Sequence, residues 1–228
     1  MLKDLFGLVF PQKCPGCGNV LVRQEKEICL TCLTELPQGN FHRFPTDNPL
    51  YFRFAGKVPI EAAVARYYFD KQGRMKRIVQ ALKYKDRPRI GTYLGADWGG
   101  LLKAGGAVDL PDLFVPVPLH QKRMRERGYN QAEKIAVGLG KALEIPVNSK
   151  CLVRSQKTQT QTRKGKEERW QNVKDVFALK EPLKGHIGLV DDVVTTGATM
   201  EACIREMMAG STEDLRVSVY SLCVTRSG

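Results

Sequence analysis

The most constraining feature of this sequence is the segment from Ile187 to Thr199, which reads IGLVDDVVTTGAT. Apolar residues run into two adjacent carboxylates, and small hydroxyl residues follow. The next residues place apolar side chains at helical spacing, namely Met200, Cys203, Ile204, Met207 and Met208. This order predicts a buried strand, a turn and a helix. In open parallel sheets, ligands bind at the carboxyl end of a strand, where the next helix begins. The segment therefore predicts an α/β fold with a ligand site at this turn.

The residue types in the turn suit a phosphorylated sugar. Backbone N–H groups at a helix start favour an anion, and the threonine hydroxyls can donate further hydrogen bonds. The glycine and the alanine leave room for a phosphate, while the two carboxylates can accept hydrogen bonds from a vicinal diol such as that of a ribose. The candidate residues are Asp191, Asp192, Thr195, Thr196, Gly197, Ala198 and Thr199. The alternative is a strand, turn and helix in which the acidic residues occur by chance.

Strand and helix patterns alternate along the chain from residue 57 onward. We expect strands at residues 63–69, 113–117, 151–153, 187–191 and 215–224, and helices around residues 75–82, 132–143 and 200–208. This alternation predicts a mainly parallel sheet flanked by helices. We therefore divide the chain into residues 1–56, a cysteine-bearing unit with a linker, and residues 57–228, the α/β domain. No apolar run is long enough to span a membrane.

Four cysteines near the start of the chain form two pairs, each with a two-residue gap. They are Cys14, Cys17, Cys29 and Cys32. This spacing lets both thiolates of a pair bind one tetrahedral zinc ion, and four thiolates leave no open coordination position. The expected metal site is therefore structural. The alternatives are buried free cysteines or a redox pair, although no strand precedes the pairs as a redox motif would require.

The segment from Asp191 to Thr199 resembles the fingerprint of type I phosphoribosyltransferases, which bind phosphoribosyl pyrophosphate (PRPP). The order of motifs narrows this further: the cysteine pairs, then LKY at residues 82–84, VPVPLH at residues 115–120, RMRERGYNQ at residues 123–131 and VDDVVTTGAT at residues 190–199. It resembles the ComF family of bacterial competence-associated, phosphoribosyltransferase-like proteins. The resemblance implies a type I phosphoribosyltransferase-like sheet with an N-terminal zinc module. It also implies a role in the uptake or processing of transforming DNA.

The resemblance also implies roles for individual residues. Residues 195–199 would hold the 5′-phosphate, and Asp191 and Asp192 would hold the ribose hydroxyls at the catalytic centre, with magnesium accompanying the pyrophosphate. A pyrophosphate loop is expected from Pro118, Leu119 and His120, together with Arg123, Arg125 and Arg127. Arginine binds phosphate bidentately, which suits this task. The alternative is a solvated basic turn.

Members of this fold also carry a mobile loop that closes over the reacting centre. The polar, basic segment from Lys157 to Val173 fits this description. We expect Arg163 and Lys164 to act in catalysis by neutralising the leaving pyrophosphate. Lys166, Arg169 and Trp170 are candidates for nucleic-acid contact, as are the three arginines before the second helix, because an aromatic ring among cations can stack on a base. A plain surface loop is the alternative.

Charge and cysteine usage bear on partners and compartment. The net charge is +12, which favours polyanions or phosphorylated ligands. An odd total of seven cysteines, without a secretory signal pattern, predicts free thiols in the cytoplasm. Expected partners are PRPP and, through the family resemblance, single-stranded DNA and other competence proteins.

The sequence leaves three functions open. The protein could transfer phosphoribosyl to an unidentified acceptor, or it could be a noncatalytic single-stranded-DNA-binding competence factor that uses PRPP as a ligand or signal. The third is a nucleic-acid-binding module in which the zinc unit and the basic loops contact single strands. Purine-salvage relatives often have Asp where this chain has Thr195, which argues against a 6-oxopurine acceptor.

Overall fold

A computed structural model describes residues 11–84, 86–105, 107–154 and 177–226. Its elements in chain order are α1 (Leu30–Glu35), β1 (Ala62–Phe69), α2 (Arg74–Tyr84), α3 (Arg89–Gly105), β2 (Leu113–Pro116), α4 (Gln121–Arg127), α5 (Gln131–Leu143), β3 (Leu152–Arg154), β4 (Phe177–Leu179), β5 (His186–Val194), α6 (Ala198–Ala209) and β6 (Arg216–Thr225). Short 3₁₀ turns cover Phe41–Arg43 and Tyr51–Arg53. Within the described part of the chain, no helix has the length and apolarity needed to cross a membrane.

The central sheet has four parallel strands in the order β1-β6-β5-β2. Its central strands β5 and β6 consist largely of buried apolar residues, as expected for a sheet covered on both faces. β3 and β4 form a separate antiparallel pair. The predicted α/β class and the parallel sheet are therefore confirmed.

The sequence patterns missed α3, a 17-residue helix that packs along α5. Glycines interrupt its apolar pattern and lower its helix propensity. The contact itself requires small residues, since a Cβ at Gly95 would collide with the carbonyl of Ile135, and a Cβ at Gly138 would collide with the carbonyl of Thr92. Close packing of the two helices therefore explains both the glycines and the missed prediction.

Residues 11–58 pack against the α/β part instead of standing apart from it. Leu36, Phe41, Leu50 and Phe54 join the same buried cluster as the strands. Asn48, which is 5% exposed, ties the segment to β1, because its side-chain amide donates to the carbonyl of Ala63 at 2.8 Å. The aromatic residues of this region thus anchor it to the sheet.

Candidate functional site

The candidate site lies where β5 and β2 end, at the carboxyl edge of the sheet. These strands are parallel neighbours with Pro116 opposite Val190, so the residues that follow each strand meet at one edge. A cavity of about 180 Å³ opens there. It is lined by Lys83, Val117, Pro118, Leu119, Arg123, Arg127, Asn130, Gln131, Ala132, Arg154, Asp191, Asp192, Val193 and Thr199. The topology thus brings together the two segments that the sequence singled out separately.

Asp191 and Asp192 are adjacent carboxyl groups in the lining of this cavity. The Asp191 carboxylate accepts a hydrogen bond from the Asp192 backbone N–H at 2.8 Å, and the Asp192 carboxylate forms an ion pair with Lys83 Nζ at 2.7 Å. Burial, together with the neighbouring Asp192, raises the pKa of Asp191 to about 8. Asp191 is therefore largely protonated at neutral pH, and Lys83 offsets the negative charge of Asp192. An acidic pair of this kind can accept hydrogen bonds from ligand hydroxyls.

The TTGAT loop (residues 195–199) connects β5 to α6 and surrounds a depression of about 30 Å³. Gly197 has a φ of 87°, in the left-handed region that favours glycine, and its carbonyl accepts the first hydrogen bond of the helix from Glu201 at 2.9 Å. A Cβ at Gly197 would lie 3.1 Å from the Phe54 ring. Glycine is therefore required at position 197 because of its backbone conformation and its close packing against Phe54. Thr195 and Thr196 are exposed, so their hydroxyl groups can donate hydrogen bonds to a ligand.

Four cations also line the cavity. The lining includes Arg123 and Arg127 of α4, Arg154 at the end of β3, and Lys83 at the end of α2. Arg127 is held in place: it donates to Gln131 Oε1 at 2.7 Å and to the Tyr84 hydroxyl at 3.2 Å, and its guanidinium lies 5.0 Å from the centre of the Tyr84 ring. This side of the cavity is suited to a strongly anionic ligand.

Not every residue predicted for the pyrophosphate loop lines the cavity. Pro118 and Leu119 do, whereas Arg125 and His120 are exposed outside the lining. His120 caps α4, because its Nδ1 accepts a hydrogen bond from the Lys122 backbone N–H at 3.1 Å. The three arginines belong to a short helix of their own and not to an open turn.

Arg163, Lys164, Lys166, Arg169 and Trp170 lie outside the described residues. The antiparallel strands β3 and β4 flank the segment that contains them. Arg154, the last residue of β3, reaches the cavity.

The four N-terminal cysteines converge on one point. Their sulfur atoms all lie within 4.8 Å of one another, and Cys17 Sγ is 3.6 Å from Cys29 Sγ. Four sulfurs at about 2.3 Å around a zinc ion would be about 3.8 Å apart, so the cluster fits a tetrahedral metal. The cluster could therefore hold a metal ion, as predicted.

Backbone donors favour the thiolate of Cys14, whereas burial raises the pKa of the Cys29 and Cys32 thiols. The Cys29 N–H donates to Cys14 Sγ and the Cys32 N–H donates to Cys29 Sγ, both at 3.4 Å. Burial raises the pKa of the Cys14 thiol, but backbone donors from Cys29, Cys17 and Gly16 outweigh it and lower the pKa to about 7. Gly16 also leaves space for sulfur, because a Cβ there would lie 2.8 Å from Cys32 Sγ.

The cysteine cluster is attached to the α/β part by arginines. Arg77 of α2 donates to the carbonyl of Gly16 at 2.7 Å. Arg87 donates to the carbonyl of Lys13 at 2.9 Å and pairs with Glu27 at 3.0 Å. The cluster therefore has a fixed position next to α2, whose other end supplies Lys83 to the cavity.

Three cationic residues of this site were not identified from the sequence. Lys83 lies within the LKY motif, which supports the family resemblance but by itself gives the lysine no role, so a signal existed. Arg154 comes directly after the strand predicted at residues 151–153, and no sequence pattern pointed to it. Arg53 contacts Val194 at the end of β5 and Thr195 of the TTGAT loop, 141 and 142 residues away in the chain, and sequence spacing cannot reveal such contacts.

No protein-family model matches the chain. Among curated proteins, competence protein F of Haemophilus influenzae is 35% identical over 166 residues, which cover 70% of this chain and 66% of that protein. The DNA utilization protein YhgH of Escherichia coli is 35% identical over 119 residues, or 52% of each chain. The chain thus spans about half the length of the Escherichia coli YhgH proteins that it matches.

A purine phosphoribosyltransferase from Pyrococcus horikoshii is similar in structure, with a TM-score of 0.35 and 18% identity over 64% of this chain and 86% of that one. The sequence matches confirm the resemblance predicted from the motifs: this chain is a relative of competence protein F and of the YhgH proteins, as its likeness to the ComF family indicated.

Proposed function

We propose that the protein binds PRPP at the carboxyl edge of its sheet. The observation that carries this proposal is the continuity of the acidic pair, the TTGAT loop and the cationic cavity. In the proposed complex, the TTGAT loop holds the 5′-phosphate through backbone N–H groups and threonine hydroxyls. Asp191 and Asp192 accept hydrogen bonds from the ribose hydroxyls. The pyrophosphate lies toward Arg123 and Arg127.

The charges of the cavity support a pyrophosphorylated ligand. Four cations, Lys83, Arg123, Arg127 and Arg154, face two carboxylates, one of which is protonated near neutral pH. A polyanion entering this space would meet a net positive field. Lys83, which pairs with Asp192 at 2.7 Å, could then pair with either this carboxylate or the polyanion.

If the protein is a phosphoribosyltransferase, the acceptor's nucleophilic atom bonds to C1 of the ribose while the C1–O bond to pyrophosphate breaks. The electron pair leaves with the pyrophosphate. The protein's residues contribute positioning and electrostatic stabilisation: the loop fixes the phosphate, the carboxylates orient the sugar, and the arginines stabilise the charge on the leaving group. Magnesium would supply further neutralisation of the pyrophosphate. Arg163 and Lys164 are proposed to assist the same leaving group.

Calorimetry with magnesium and PRPP tests the binding. The wild type should bind. Asp192→Ala should weaken binding by about 1.5–3 kcal/mol for each lost charged hydrogen bond, and Asp191→Ala, which removes a carboxyl group that is protonated near neutral pH, by about 0.5–1.5 kcal/mol. Asp214→Ala is a matched control, since this exposed aspartate bonds Thr212 far from the cavity. Unchanged affinity in both site variants would remove the ribose assignment. Pyrophosphate release that depends on an added nucleobase, amine or DNA would identify a transferase.

A second function, DNA handling without catalysis, is favoured by one specific observation. Arg125 is exposed on α4 outside the cavity lining, so PRPP alone does not account for it. Exposed arginines on a protein of net charge +12 can contact phosphates of a nucleic-acid strand. The names of the relatives, which refer to competence and to DNA utilization, point the same way. In this alternative PRPP is a ligand or signal, and binding occurs without pyrophosphate release.

We further propose zinc as the metal of the cysteine cluster. Cys14, Cys17, Cys29 and Cys32 would hold it with four thiolates, and a closed site of this kind is structural. Its binding free energy would stabilise the fold of the surrounding residues.

A further inference from the structure

We infer that Arg53 is a positioning residue for the TTGAT loop, an inference that rests on the proposed function. Arg53 belongs to the 3₁₀ turn in the region between the cysteine cluster and β1, far from the loop in sequence. Its guanidinium donates to the backbone carbonyl of Thr195 and, at 3.4 Å, to that of Val194. It also donates to the carbonyl and the hydroxyl of Thr225 at the end of β6. One side chain therefore joins the start of the loop to the neighbouring strand.

The contact with Thr195 fixes the direction of a peptide group. The C=O of Thr195 and the N–H of Thr196 belong to the same planar trans peptide and point in opposite directions. Because Arg53 holds the C=O toward the protein, the N–H of Thr196 is turned away from Arg53. Thr195 and Thr196 are exposed, so this N–H can face an anion that enters the depression. Arg53 thus sets the orientation of the Thr196 N–H, and this N–H is the group that donates to the anion.

The turn that carries Arg53 is rigidly held. Asn48 Oδ1 accepts hydrogen bonds from the N–H groups of Leu50 and Tyr51, each at 3.0 Å, while its amide group donates to Ala63 in β1. The next residue, Phe54, is fully buried beneath Gly197. A continuous series of contacts therefore runs from β1 through the turn to the loop. Such support preorganises a binding loop before the ligand arrives.

Two half-ligands can separate positioning from general stability. Ribose 5-phosphate carries the phosphate that the TTGAT loop would hold, whereas magnesium pyrophosphate would occupy the arginine side. We expect Arg53→Ala to weaken ribose 5-phosphate binding by about tenfold or more, since one hydrogen bond to a charged ligand is worth at least that much. Pyrophosphate affinity should stay unchanged. Arg53→Lys, which keeps the charge but offers a single donor nitrogen in place of the guanidinium fork, should give an intermediate loss of affinity for ribose 5-phosphate alone.

Arg205→Ala is the matched control. Arg205 also joins α6 to the same region, because it donates to the carbonyl of Lys57 at 2.8 Å, but it does not contact the loop. This variant should bind both half-ligands as the wild type does. Equal affinity of wild type and Arg53→Ala for ribose 5-phosphate would overturn the inference, and so would an equal loss of both half-ligands. If Arg53→Ala does not fold, Arg53→Lys provides the test: it should lose affinity for ribose 5-phosphate but not for magnesium pyrophosphate. A wild type that binds neither half-ligand would instead refute the proposed function.

Discussion

Replacing Gly197 by alanine tests whether the underside of the TTGAT loop determines both stability and ligand affinity. Gly197 has a φ of 87°, and an alanine in this left-handed conformation costs about 1 kcal/mol. The new Cβ would lie 3.1 Å from the ring of Phe54, which is fully buried and cannot move into solvent. Shifting this ring adds about 1 kcal/mol. We therefore expect a destabilisation of about 2 kcal/mol, or a decrease in melting temperature of about 4–8 °C for a chain of this size.

Gly128→Ala separates the two contributions. Gly128 has a similar φ of 74°, but a Cβ there would meet nothing within 4 Å. This variant should lose only about 1 kcal/mol, and its affinity for ribose 5-phosphate should equal that of the wild type. Gly197→Ala should in addition bind ribose 5-phosphate at least about tenfold more weakly, because the displaced loop misdirects its donors. Equal melting temperatures of the two variants, with unchanged affinity in both, would refute the reasoning.

Three further predictions concern the metal, the acidic pair and the basic helix. Elemental analysis should find one zinc per chain in the wild type and in Cys151→Ser but none in Cys14→Ser; a metal-free, reduced wild type would contradict this. The Asp191 carboxyl has a pKa of about 8 in the folded protein and of about 4 in the unfolded chain. The stability of the wild type relative to Asp191→Asn should therefore decrease as the pH rises from about 4 to about 8. Melting-temperature profiles that stay parallel over this pH range would refute the prediction. Single-stranded DNA should bind with a log–log salt slope of about −0.7 per phosphate contacted, and the slope should become shallower in Arg123→Gln/Arg125→Gln; gel shifts without binding at low salt would reject DNA contact.

The cysteine cluster shows how local spacing can determine a site. A two-residue gap places two sulfurs on one tight turn, and this geometry depends on neighbouring residues alone. The spacing therefore predicted a cluster whose sulfurs lie within 4.8 Å of one another. What the sequence could not predict is its attachment, because Arg77 and Arg87 reach the cluster from 60 or more residues away.

The same distinction holds for the candidate ligand site. The sequence alone determined the α/β class and the acidic pair with its following loop, since these depend on apolar periodicity and on consecutive residues. Only the tertiary structure decided that Lys83 pairs with Asp192 and that Arg53 supports the loop. It also decided that Arg123 and Arg127 line the cavity while Arg125 does not. Such contacts depend on how strands and helices pack, and packing brings together residues whose separation in the chain carries no local signal.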